Sequence, residues 1–326
     1  MPAANLPASP GKPEPPDSPY PVGAGCVCPQ EARFSADMIL LWCVSLCGVV
    51  SAGVVGLVLL FVLREAWPAL AEIGLPRMLR DTEWYPAGEV AEGSFSLWPA
   101  LAGTTAVTVL AIGLAAPCGL AWAAVQHSGL PKPLAVPQRR LMELLAGIPS
   151  VVYGFWGLTV LVPLVNAWHP PGASLFAGGL VLAIMILPTV ALLAESALAG
   201  VSPEWIRGAA ALGMDRWTTL WKVSFPAARS GVISAVLLAV ARALGETMAV
   251  LMVSGNVARV PRSLFDPVRT LTAQIALEMG YAGEMHRSAL FAGGLVLLLA
   301  VTGLVLLCEW MDGGRMSAAP SFWRRN

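Results

Sequence analysis

Apolar and polar positions along this chain sort into six greasy runs, at residues 38–63, 97–125, 141–165, 174–198, 231–254 and 288–307, separated by stretches that gather charge and proline. Each run reaches the roughly 20 residues that a helix needs to cross a hydrocarbon core. Within the runs Leu, Val, Ala and Gly follow helical spacing rather than the alternation of a strand, so the pattern predicts spanning helices and not a barrel. The expected fold class is an all-α integral membrane protein with six transmembrane helices.

Composition agrees with that class, since 56% of residues are hydrophobic and only 12% charged. So much apolar area exceeds what a water-soluble globule can hide. Formal net charge is zero, which gives no bulk attraction to nucleic acid. Charge placement says more. With the N-terminus in the cytoplasm, twelve Lys and Arg fall inside and seven outside, leaving Arg242 within a span. That bias orients both termini to the cytoplasm.

The first 37 residues are polar and Pro-rich, cannot assemble a core, and are expected to form a disordered cytoplasmic tail. They are not a signal peptide, because the first apolar run starts only near Met38 and is too long for a cleaved segment. There follow a first transmembrane helix (38–63), an external loop (64–96), a core (97–310) that contains a large cytoplasmic loop (200–226), and a cytoplasmic tail (311–326).

Chemistry by common routes finds little support. Cys26, Cys28, Cys43, Cys47, Cys118 and Cys308 avoid the large external loops and read as small packing residues. His127, His169 and His286 have no partner at metal-ligand spacing. No GxxxxGK[ST] phosphate loop occurs. No catalytic residue, metal site or cofactor is expected on this chain. Pro117, Pro149, Pro163 and Pro188 lie in or near the ends of three successive spans, where proline kinks or breaks helices and such breaks can line a solute path. The octapeptide LFAGGLVL occurs at Leu175–Leu182 and again at Leu290–Leu297; its paired glycines suit two similar sites of close helix contact, not a duplicated domain.

Two charges stand out inside the fifth run, which carries ARALGETMAVLMVSGN from Ala241 to Asn256. On one continuous helix Arg242 and Glu246 share a face. Each charge near a span centre costs about 2.5–3.5 kcal/mol, about 5–7 together. The ten Leu, Ile and Val of residues 231–254 recover only about 3–6 kcal/mol on the same scale. This helix is therefore expected to turn the pair toward the bundle, either as a substrate-path site where Arg242 holds an oxyanion or as a structural ion pair. Glu143 and Glu195 are weaker candidates, being near cytoplasmic ends.

The loop from Arg207 to Pro226 reads RGAAALGMDRWTTLWKVSFP. It is amphipathic, with Leu212, Trp217, Leu220 and Trp221 expected on one helical face. The stretch resembles the EAA loop of ATP-binding-cassette importer permeases, in which EAA is followed by three residues, Gly, nine residues and an IxLP-like ending. Ala209, Gly213, Val223, Phe225 and Pro226 keep that spacing, while Arg207 stands at the Glu position and Gly208 at the first Ala. The segments LLAGIPSVVYGFWGLTVLVPL, RALGETMAVLMVSGN and SLFDPVRTLTAQIALEMGYAGEMHRSALF are similar to the PstC-type permease family of phosphate importers. Where the PstA-type sister family reads close to GETAPL, this chain has Gly245, Glu246, Thr247, Met248, Ala249 and Val250.

The resemblance implies a type I ABC importer permease fold, a peripheral helix followed by a five-helix core, in the inner membrane. It implies a second, PstA-type permease, a PstB-type ATPase dimer that binds the ATP, and an external PstS-type phosphate-binding protein that delivers substrate to residues 64–96 and 255–287. Arg207, Gly208, Ala209, Gly213 and Pro226 would couple to the ATPase, and Arg242 and Glu246 would lie on the path. Alternatives are another oxyanion such as tungstate or molybdate, or a proton-coupled secondary transporter, which would not need the spaced cytoplasmic lever.

Overall fold

The computed structural model describes residues 30–81, 83–86 and 94–316. Most of the proposed N-terminal tail, Cys26 and Cys28 included, and residues 317–326 lie outside the described residues. Among those described, six helical stretches are long and apolar enough to span a membrane: Leu40–Glu72, Trp98–His127, Ser150–Trp168, Leu175–Ala199, Arg216–Leu244 and Glu284–Met311.

The chain divides into two units, Met1–Leu57 and Val58–Asn326. The described part of the first unit is the opening of α1 (Gln30–Glu72), so residues 30–37, assigned above to the tail, are helical. In the second unit α1 continues beyond residue 63 to Glu72 because its last turns are packed. Ala66 and Ala69 are buried, and the Ser288 hydroxyl both donates to the Glu65 carbonyl (2.8 Å) and accepts from the Ala69 N–H (3.0 Å).

A short helix α2 (Leu75–Arg80) leads to β1 (Trp84–Tyr85), which pairs antiparallel with β2 (Ser94–Phe95), Trp84 opposite Phe95. Next come α3 (Trp98–His127) and α4 (Lys132–Gly147). The third run was expected to begin within α4, at residue 141. Instead α4 is a separate amphipathic helix, and Ile148 is extended (ψ 130°) ahead of Pro149. The steric demand of a proline on its predecessor accounts for that break. The span itself comprises α5 (Ser150–Trp156), a π-helical turn (Gly157–Leu161) and α6 (Val162–Trp168), with Pro163 at the start of α6. Pro117 and Pro188, by contrast, sit inside the unbroken helices α3 and α7 (Leu175–Ala199).

Helix α7 is the axis of the bundle: 67% of its most apolar window is buried, and α3 is its main partner. Lipid is as apolar as Leu, so helices associate there through close packing of small residues. The two LFAGGLVL segments show how. A Cβ on Gly179 would come 2.5 Å from Leu110 Cδ2 of α3, and one on Gly293 would come 3.0 Å from Leu271 Cδ1. Both glycine sites are close-packed, as the repeated segment suggested.

The large loop holds α8 (Pro203–Ala211) and α9 (Arg216–Thr219), followed by a π-helical turn (Leu220–Ser224) and α10 (Phe225–Leu244). Beyond Leu244 lie α11 (Met248–Val253), α12 (Leu271–Glu278) and α13 (Glu284–Met316).

Candidate functional site

The fifth span does not run continuously to residue 254. It starts earlier, at Arg216, and α10 stops at Leu244. Gly245 caps that end, Glu246 and Thr247 belong to neither helix, and α11 restarts at Met248. Glu246 lies in the break, where its Oε1 accepts the Ala249 N–H at 3.0 Å. A carboxylate there satisfies one of the orphan donors at the start of α11 and suits its positive end.

Arg242 and Glu246 therefore do not share a face of one helix, and among the described residues they form no ion pair. Arg242 is exposed in the last turn of α10. Tyr153 of α5 is fixed, its hydroxyl donating to the Leu145 carbonyl at 2.8 Å.

Helix α12 is pinned against the break. Thr272 Oγ1 donates to the Glu246 carbonyl (2.8 Å), and the Leu271 N–H donates to Thr104 Oγ1 of α3 (2.9 Å). Gly103, beside Thr104, makes room for the approach: a Cβ there would lie 2.3 Å from the Arg269 carbonyl oxygen. Gln274 of α12 is 1% exposed, and neither carboxamide atom has a hydrogen-bond partner among the described residues.

A second charged cluster, not anticipated from sequence, closes the other end of α12. Glu278 is 5% exposed. Its Oε1 accepts from Arg269 Nη1 at 2.6 Å, and its Oε2 accepts from Trp84 Nε1 at 2.8 Å and lies 2.9 Å from His286 Nε2. Arg269 also donates through Nε to the Asn256 carbonyl (2.9 Å). One buried carboxylate thus ties together β1, the loop before α12, α12 and α13. Its partners lie up to 194 residues away in the chain, so no local spacing announces it; a charged residue ending the apolar segment 271–278 was the available signal.

In the large loop, Gly213 has φ +76°, a left-handed conformation that disfavours any side chain. This turn separates α8 from α9, so residues 207–226 are not one helix. Leu220 is buried, while Leu212, Trp217 and Trp221 are exposed, Leu212 at 83%; the single apolar face expected from sequence is thus divided. Asp215 caps α9, accepting the N–H groups of Trp217 (3.1 Å) and Thr218 (3.3 Å). Hydrogen bonds from Thr218 hold its carboxyl below the ordinary carboxylate range. Ala209 is packed within its own chain. Arg207, Gly208, Gly213 and Pro226 are exposed, and Arg207 Nε donates to the Pro203 carbonyl (3.4 Å). Arg139 bridges Glu143 (3.1 Å) and Glu195 (2.9 Å), which ties α4 to α7.

A break in a span, an arginine beside it and a glycine-turned loop between spans form the setting in which similarity to known proteins can be read. Residues 115–314 match the model of the binding-protein-dependent transport system inner membrane component family. The chain belongs to that family. It is 40% identical over 241 residues to a probable ABC transporter permease protein, YqgH, of Bacillus subtilis, covering 73% of this chain and 77% of that protein. It is 34% identical over 268 residues to the phosphate transport system permease protein PstC of Mesorhizobium japonicum, covering 76% and 80%. With PstC of Haemophilus influenzae it shares 33% over 275 residues, covering 78% and 86%. This permease is accordingly a multi-pass membrane transport subunit and not an enzyme.

Proposed function

We propose that this permease carries inorganic phosphate into the cell by alternating access, driven by ATP that a separate ATPase subunit binds and hydrolyses. The observation that carries the reading is the exposed guanidinium of Arg242 at the break in the fifth span, with no ion pair among the described residues. Facing lipid, that charge would cost about 2.5–3.5 kcal/mol. Facing a second permease across a watery path, it offers a planar fork of donors to an oxyanion. The phosphate-permease relatives favour phosphate as that oxyanion.

In this reading the partners are a PstA-type permease beside the fifth span, a PstB-type ATPase dimer at the α8–α9 loop, and a PstS-type phosphate-binding protein at the opposite end. Both termini are cytoplasmic. The exposed apolar residues Trp205 and Leu212 around the Gly213 turn supply a surface for the ATPase, with Arg207 at its rim. The test is purification of the tagged permease from its native membrane. Recovery with an ATPase and a second permease, and capture of a phosphate-binding protein, is expected. A permease that purifies alone and transports on an ion gradient would overturn the proposal.

A further inference from the structure

A cavity of about 500 Å³ lies between the α3–α4 turn and the large loop. Its lining is of two kinds: Ile206, Ala210 and Met214 are apolar, whereas His127, Arg216 and Ser224 bring polar groups. The polar groups are partly fixed. His127 Nε2 lies 3.1 Å from the buried Ser224 Oγ, and Arg216 Nη1 donates to the Gly129 carbonyl at 3.4 Å. Arg216 is exposed and has no ion-pair partner among the described residues. No Asp or Glu lines the cavity. Of the acidic residues on adjoining elements, Asp215 turns Oδ2 to the N–H groups of Trp217 and Thr218, and Glu195 is held by Arg139 at 2.9 Å. Glu204 stands two residues from Ile206, toward the opposite side of α8.

The level of the cavity points to its ligand. His127 is the last residue of the second span and Arg216 the first of the fifth, so the cavity sits where two spans leave the hydrocarbon. Trp217 and Trp221, just after Arg216, are exposed at 51% and 61%, which suits the headgroup layer where Trp gathers. Ile206 and Ala210, four residues apart, share one face of α8. The exposed Trp205 and Leu212, seven apart, mark another. The cavity therefore does not use the surface proposed above for the ATPase.

We propose that this cavity binds the phosphate group of an anionic phospholipid, with Arg216 on the phosphate oxygens and the apolar body of the lipid against Ile206, Ala210 and Met214. Basic pockets between the ends of transmembrane helices hold anionic headgroups. With Nη1 on Gly129, the Nε and Nη2 side of the guanidinium remains as a fork, which matches two phosphate oxygens at once. Free inorganic phosphate offers the same oxygens but nothing to cover the apolar wall, so the lipid is the favoured source. Bound lipid joins the end of α3 to the start of α9 and steadies the large loop. The site goes beyond the functional reading above and does not depend on which anion is carried.

The test uses the full-length permease with whatever subunits purify alongside it, stripped of lipid and titrated with phosphatidylglycerol in detergent. Native mass spectrometry reads binding, and hydrogen exchange locates it. Binding should be saturable and should slow amide exchange in residues 206–220. Arg216→Gln should weaken it about fivefold, the contribution of one basic group facing an anionic lipid, and Arg216→Lys, which keeps the charge, should retain most of it. Ala210→Phe keeps every charge but fills the apolar side, and should lose the protection of residues 206–220. Arg229→Gln removes an exposed arginine of α10 that does not line the cavity and should change neither readout. Unchanged affinity in Arg216→Gln overturns the site. An equal loss in Arg229→Gln, or equal binding of phosphatidylcholine, also overturns it, because the attraction is then diffuse. Protection of residues 206–220 by millimolar inorganic phosphate without lipid would make free phosphate the source and overturn the lipid assignment.

Discussion

Replacing Glu278 by Gln changes one atom and should be among the more damaging substitutions outside the spans. The carboxylate has three partners: Arg269 on Oε1, and Trp84 and His286 on Oε2. A carboxamide has a single acceptor oxygen. If that oxygen faces Arg269, its NH₂ meets the Trp84 N–H; if it faces Trp84, its NH₂ meets a guanidinium. Either way a buried donor loses its acceptor. Removing one partner of a buried ion pair costs about 3–5 kcal/mol. Arg269 keeps 19% of its side-chain exposure and can recover some hydration, which places the expected loss near the lower end, about 3 kcal/mol. Reversible unfolding of the purified permease in mixed micelles would measure it. A companion Arg269→Met variant closes a double-mutant cycle, and the two changes should couple by more than about 1 kcal/mol. A stability for Glu278→Gln within about 0.5 kcal/mol of wild type, the level of ordinary surface changes, would refute the buried network.

Three further outcomes are expected. Gly213→Ala should cost about 1 kcal/mol, from the left-handed backbone alone, and leave transport measurable, whereas Gly213→Trp should insert normally yet abolish ATP-coupled uptake; normal uptake by the Trp variant would remove the lever. Arg242→Gln should lose phosphate uptake, and Arg242→Glu combined with Glu246→Arg should not restore it, because an arginine at 246 cannot accept the Ala249 N–H; Glu246→Gln, which keeps that acceptor, should preserve membrane abundance. Tags placed after Asn326 and near Gly213 should both resist labelling from outside intact cells, and labelling of either would reverse the proposed orientation.

The spans were largely legible because their apolar runs exceed what any surface helix carries, and the signal survives errors in their ends. Those errors share a cause. Hydropathy averages across a break when both sides are greasy, so the interruption at Gly245–Thr247 disappeared within residues 231–254. Pro149 is visible in the sequence, but its effect on Ile148 leaves no mark in the hydropathy because apolar residues continue on both sides. The spacing of the large loop did register Gly213, the one position there whose backbone demands glycine. The Glu278 cluster left little trace, since long-range hydrogen bonds impose no periodicity, and Glu246 looked like the partner of Arg242 only while the helix was assumed continuous.

Uptake of radiolabelled phosphate by proteoliposomes bears most directly on the transport assignment. They would contain this permease with its second permease and ATPase, and would be supplied with the phosphate-binding protein outside and ATP inside. The expected result is accumulation that needs both ATP and the binding protein, is lost in Arg242→Gln, and is not displaced by tungstate or molybdate. Accumulation of tungstate or molybdate in preference to phosphate, or uptake driven by a proton gradient without the ATPase, would contradict it.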